Sequence, residues 1–189
     1  MVISKLRLVL KPGVSGSDVE SFAWENDWNL FEMGEEDAGA LVDIWRTDDG
    51  ETEIHYVDDR PIGVTYLTLS GGAVDAMERQ ICDGLDVWSF PEALEELSGA
   101  FHATEKRIAL FVAALAAPEE ESEVAAQKIS SVAEDSDPEL RRAFVEAAGY
   151  LPWPILLGKI EELRENDPDR LVKETAGILM EGIRHHGAD

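Results

Sequence analysis

The side chains able to do chemistry in this 189-residue chain are mostly carboxylates, and their spacing argues against most carboxylate chemistry. Glu35-Glu36-Asp37 and Glu119-Glu120-Glu121 are runs of adjacent acids without the interleaved Asn, Gly or His that shapes a metal loop. They read as solvated charge, and no metal is expected. His185-His186 has no third ligand nearby. The single cysteine, Cys82, excludes an internal disulfide, and its place between Ile81 and Leu85 in a predicted helix suggests a buried, inert thiol. Ser70-Gly71-Gly72-Ala73 falls between a predicted strand and a helix but lacks the further glycines and the lysine of a phosphate loop; tight turning explains it. No Ser, Cys or His forms a nucleophile–base–orienter set by spacing, so neither catalysis nor a cofactor is expected.

Recognition is the remaining chemistry. Trp24, Trp28, Trp45 and Tyr56 are interleaved with acids, and aromatic anchors inside a charged rim concentrate binding energy at protein interfaces. The same aromatics could instead fill a small core. The charge is less ambiguous: 40 acids face 16 bases, a formal net charge of −24. Residues 1–100 carry 22 acids and 6 bases, and within them 18–59 holds fifteen carboxylates and one base, Arg46. Such a field disfavours nucleic acid, which needs clustered Lys and Arg, and favours a basic protein partner. The acid excess could also be a halophilic or solubilising coat. The candidate binding residues are Glu35, Glu36, Asp37, Trp45, Asp48, Asp49, Glu51, Glu53, Tyr56, Asp58 and Asp59, with Glu161, Glu162 and Glu165 as a second face.

The elements that must position these residues can be read along the chain. Leu6, Leu8 and Leu10 alternate in a first strand that Pro12-Gly13 stops. Ser17-Asp18-Val19-Glu20 has capping-box spacing and opens a helix with Val19, Phe22 and Ala23 on its apolar face. Strands over 40–46 and 52–57 meet across Thr47-Asp48-Asp49-Gly50-Glu51, where Asp-Gly marks a hairpin. A third strand, 64–69, leads through Gly71-Gly72 into a helix with Val74, Met77, Ile81, Leu85 and Trp88 on one side. The order strand, helix, three strands, helix predicts an α+β domain over 1–88: a small antiparallel-rich sheet with two helices. A bridging helix follows within 89–103, opened by the capping-box spacing of Ser89 and Glu92.

From 104 onward a helix-pair pattern recurs. Arg107, Ala109, Leu110, Phe111 and Ala113 line up with Arg141, Ala143, Phe144, Val145 and Ala147 at an offset of 34 residues. In the clearest copy Asp137 should cap, Pro138 should open and Gly149 should close a helix, and after Pro152-Trp153-Pro154 a second helix spans 155–165. The next copy opens with Asp167-Pro168-Asp169 and places Lys173 where Arg141 stands. This pattern resembles the HEAT-like (armadillo-type) helical-repeat proteins. The resemblance implies a right-handed α-α superhelix over 104–189, a scaffold for holding other proteins. A plain helical bundle is the competing architecture.

The longest apolar run, Ile108–Ala117, is about half a membrane span, so a soluble cytoplasmic protein that binds no membrane is expected. The reading that follows is a non-enzymatic protein-binding protein. Its sharpest form is an acidic inhibitor that occludes a basic partner such as a toxin, as immunity proteins and antitoxins do. The alternative is an enzyme or small-ligand-binding protein with its site on the N-terminal domain.

Overall fold

The computed structural model describes residues 5–34 and 39–186. The chain is α+β and divides into two compact units, Met1–Ser89 and Phe90–Asp189.

The first unit is a five-stranded antiparallel sheet: β1 (Lys5–Val9), β2 (Asn29–Glu32), β3 (Ala40–Arg46), β4 (Thr52–Asp59) and β5 (Val64–Gly71), in the order β1-β5-β4-β3-β2. The strand β2 was not expected. It is short, and a register shift between Leu30 and Glu32 interrupts its pairing with β3. Between β1 and β2 runs α1 (Gly16–Glu25), and after β5 comes α2 (Val74–Gly84).

Period-2 alternation sends one side chain in two to the core. Leu8, Leu67, Leu69, Ile54, Tyr56 and Trp45 therefore line one face and join Val19, Ala23, Val74, Met77 and Ile81 from the helices in one cluster. The capping box of α1 lies two residues earlier than expected. Ser15 accepts from the Asp18 amide at 3.2 Å, while Asp18 accepts from the Ser15 amide at 2.7 Å. The helix α2 stops at Gly84, so Leu85 and Trp88 lie beyond it; Trp88 N–H donates to the Val9 carbonyl. A Cβ at Gly84 would lie 2.2 Å from the Phe22 ring, so the missing side chain lets α1 and α2 approach.

The second unit is helical: α3 (Phe90–Gly99), α4 (Ala103–Ala116), α5 (Glu123–Ser130), α6 (Pro138–Tyr150), α7 (Pro154–Asn166) and α8 (Arg170–His186), with a 3-10 turn, Ser131–Glu134, before α6. The helix expected as a bridge, α3, packs on α4 and α5 within this unit. Two rows emerge: α4, α6 and α8 pack in succession, as do α3, α5 and α7. Leu110, Phe144 and Ala176, one from each helix of the first row, are fully buried.

Asp137 caps α6 as expected, accepting from the Glu139 amide at 2.9 Å, and Pro138 opens the helix. At α8 the cap is Asp169, which accepts from the Leu171 and Val172 amides at 2.8 and 3.2 Å. That choice absorbs the two extra residues after Asp167-Pro168. Gly149 does not end α6; it lies in the last turn, where an added Cβ would stand 3.3 Å from Leu179 of α8.

Candidate functional site

The β3–β4 hairpin carries three of the expected contact residues, exposed, at its tip. Arg46 pairs with Glu53 in the ladder, Thr47 N–H donates to the Thr52 carbonyl at 3.1 Å, and Gly50 takes φ 71°, which its lack of a Cβ permits. Asp48, Asp49 and Glu51 are exposed on the tip, and among the described residues no basic side chain pairs with them. Asp49 also shapes the turn: its carboxylate accepts from Thr47 Oγ1 at 2.6 Å and from the Glu51 amide at 3.0 Å. Those bonds, Thr47's foremost, hold its carboxyl below the ordinary range.

The other expected residues of this unit are less available to a partner. Glu53 accepts from Arg46 Nε and Nη2 at 3.1 and 3.0 Å and contacts His55 Nε2 at 2.7 Å; the His55 contact first, then Arg46, keeps its carboxyl low. Asp58 pairs with Arg60 at 3.4 Å, and Asp59 is buried. Trp45 and Tyr56, expected as anchors, are 4% and 8% exposed and belong to the core, so they cannot meet a partner's surface. Trp28 is buried as well. Glu35, Glu36 and Asp37 lie outside the described residues.

On the second unit, Glu161 pairs with Arg164 at 2.6 Å and Arg184 at 3.7 Å, and Glu162 pairs with Lys159 at 3.0 Å. Glu165 is exposed, and its backbone carbonyl accepts from Lys173. The run Glu119–Glu121 has structural work: the Glu119 carbonyl accepts from Trp153 Nε1, and Glu121 Oε2 accepts the Ile155 amide in the first turn of α7.

Cys82 departs from its expected burial, whereas the glycine turn is structural, as expected. Cys82 is exposed rather than buried, and its thiol is pushed up, first by partial desolvation and then by Glu78 and Asp83, which makes it a poor nucleophile. Gly71 has φ 130°, and a Cβ there would fall 2.1 Å from the Glu51 carbonyl oxygen; close approach of β5 to the hairpin demands that glycine. Among the described residues no three His, Cys, Asp or Glu side chains gather as a metal site.

Of the four aromatics read as possible anchors, Trp24 alone is exposed, at 58%, because it falls off the helix face formed by Val19, Phe22 and Ala23. Sequence reasoning missed two further exposed apolar side chains, Phe31 at 57% and Met33 at 71%. Phe31 and Met33 belong to the region of the unforeseen β2. Compared with known proteins, the chain matches no family model, no curated protein and no solved structure. Among the described residues no helix is long and apolar enough to cross a membrane.

Proposed function

We propose that this chain is a non-enzymatic, cytoplasmic protein-binding protein that uses its acidic first unit to recognise a basic partner, in the manner of an immunity-type inhibitor. The carrying observation is the hairpin tip, where Asp48, Asp49 and Glu51 are solvated and lack cationic partners among the described residues. Unpaired charge projected from a rigid hairpin steers a basic surface toward it and disfavours nucleic acid and anionic membranes.

The helical unit is proposed to be a HEAT-like superhelix. Its support is a recurring joint. Asp135 accepts from the Asp137 amide at 3.0 Å and pairs with Lys106 of α4 at 2.6 Å; Asp167 accepts from the Asp169 amide at 2.8 Å and pairs with Arg141 of α6 at 2.7 Å. Each basic residue sits four positions after its helix's N-cap, at His102 and Asp137. In this register Lys106, rather than Arg107, corresponds to Arg141.

Immobilised chain exposed to lysate of its native host at low salt tests the function. Retained proteins should be basic and should elute as salt rises; retention of acidic proteins that resist salt would contradict the proposal.

A further inference from the structure

We infer that the free edge of β2 receives an extended basic segment of the partner by strand addition. The inference rests on the basic-partner reading and assigns it a second surface, next to the hairpin tip.

Among the described residues β2 pairs only with β3, so the main-chain donors and acceptors of its other side meet no strand there. Exposed apolar groups lie on both faces of the sheet near β2, each in contact with β3. Trp24 stacks edge-on against Trp45, ring centroids 5.7 Å apart, on the core side where Leu30 pairs with Trp45. On the opposite side Phe31 lies under the Arg46 guanidinium, 3.4 Å from the ring centroid, and Arg46 pairs with Asn29. A strand laid beside β2 would direct alternate side chains to these two faces, one carrying Trp24 and the other Phe31, the arrangement by which strand addition obtains specificity from side chains and affinity from the main chain.

Charge selects the occupant. Glu25, Asp27 and Glu32 are exposed around the edge, and residues 1–89 hold 19 acids against 6 bases. A second copy of this chain would bring two such fields together, whereas a lysine-bearing strand would neutralise one. The shortness of β2 and its register shift at Phe31 also blunt it against casual sheet-to-sheet pairing.

The test uses the full chain and two short peptides of equal charge, one alternating Lys and Val, the other with its central valines replaced by proline. Amide exchange is followed at Asn29–Met33. The Lys–Val peptide should slow exchange there by roughly tenfold, and the proline peptide, which cannot form the ladder, should not. Phe31→Ser with Met33→Ser should abolish the protection. If both peptides bind alike, salt-sensitively and without protecting β2, the edge inference falls while the acidic-surface reading stands. If neither peptide binds at low salt, the basic-partner reading falls too. Protection of β2 that rises with protein concentration and without peptide would give the edge to a second copy and overturn the inference.

Discussion

Arg141 grips Asp167 with two hydrogen bonds, Nε to Oδ2 at 2.7 Å and Nη2 to Oδ1 at 2.9 Å, and both residues are buried. The fork joins α6 to the turn that begins α8, and Arg141 Nη1 also donates to the Asp135 and Ser136 carbonyls in the turn just before its own helix. Removing one partner strands the other's charge in a low-dielectric site. Arg141→Ala should therefore cost about 3–5 kcal/mol, whereas Arg141→Met with Asp167→Leu should cost much less, because no buried ion is orphaned. Chemical denaturation of both variants checks the difference.

The same pair predicts acid sensitivity. Hydrogen bonds from Arg141 hold the Asp167 carboxyl below its ordinary value of 3.8 against the opposing effect of burial. Asp135 is lowered by the Asp137 amide first and by Lys106 second. A depressed folded-state pKa gives stabilisation that is complete above the unfolded value and disappears as pH falls through the folded one. Helical signal from the second unit should therefore become less resistant to denaturant below about pH 4. Asp167→Asn should be less stable at neutral pH and show a shallower acid dependence.

Leu140 is 4% exposed in α6, within the row formed by α4, α6 and α8. Leu140→Asp places an unpaired charge there and should lower stability by several kcal/mol, which corresponds to a Tm drop of roughly 10 °C or more. A Tm within about a degree of the parent would contradict the packing described.

In the first unit, Thr52 is fully buried, and among the described residues its Oγ1 meets no hydrogen-bond partner. Thr52→Val keeps the β-branched shape and removes the unsatisfied hydroxyl, so it should stabilise the protein by about 1 kcal/mol. Gly71→Ala should act oppositely, costing about 2 kcal/mol or more through positive φ and collision with the Glu51 carbonyl. Gly72→Ala, whose Cβ would meet only Glu51 Oε2 at 3.6 Å, should be tolerated. Thermal unfolding of the three variants separates these outcomes.

Features set by local chemistry were legible in the sequence. Asp49-Gly50 specified the hairpin because only a few residues tolerate its backbone, and Asp137-Pro138 specified the start of α6 because cap and first-turn preferences are local. Features set by distant neighbours were not legible. The four residues of β2 carry little strand signal of their own and depend on β3 for their conformation. The choice of Asp169 over Asp167 as the α8 cap depends on Arg141, which claims Asp167 from 26 residues away. The candidate site divides similarly. Charge at Asp48, Asp49 and Glu51 must face water wherever the strands lie, whereas the burial of Trp45 and Tyr56 follows from cross-strand register: Trp45 stands opposite Ile54, and Tyr56 opposite Leu67.

The central claim, that the hairpin tip steers a basic partner, is tested most directly by association rate against ionic strength. The comparison is between the parent chain and Asp48→Asn, Asp49→Asn, Glu51→Gln combined; the amide introduced by Asp49→Asn keeps an oxygen to accept the bonds from Thr47 and the backbone N–H of position 51. With a basic protein captured on the parent chain, the on-rate should fall steeply as the Debye length shrinks from about 30 Å to about 10 Å. The neutralised chain should bind more slowly at low salt, show a flatter salt dependence, and unfold at nearly the same temperature. Identical association kinetics for the two chains at low salt would contradict the claim.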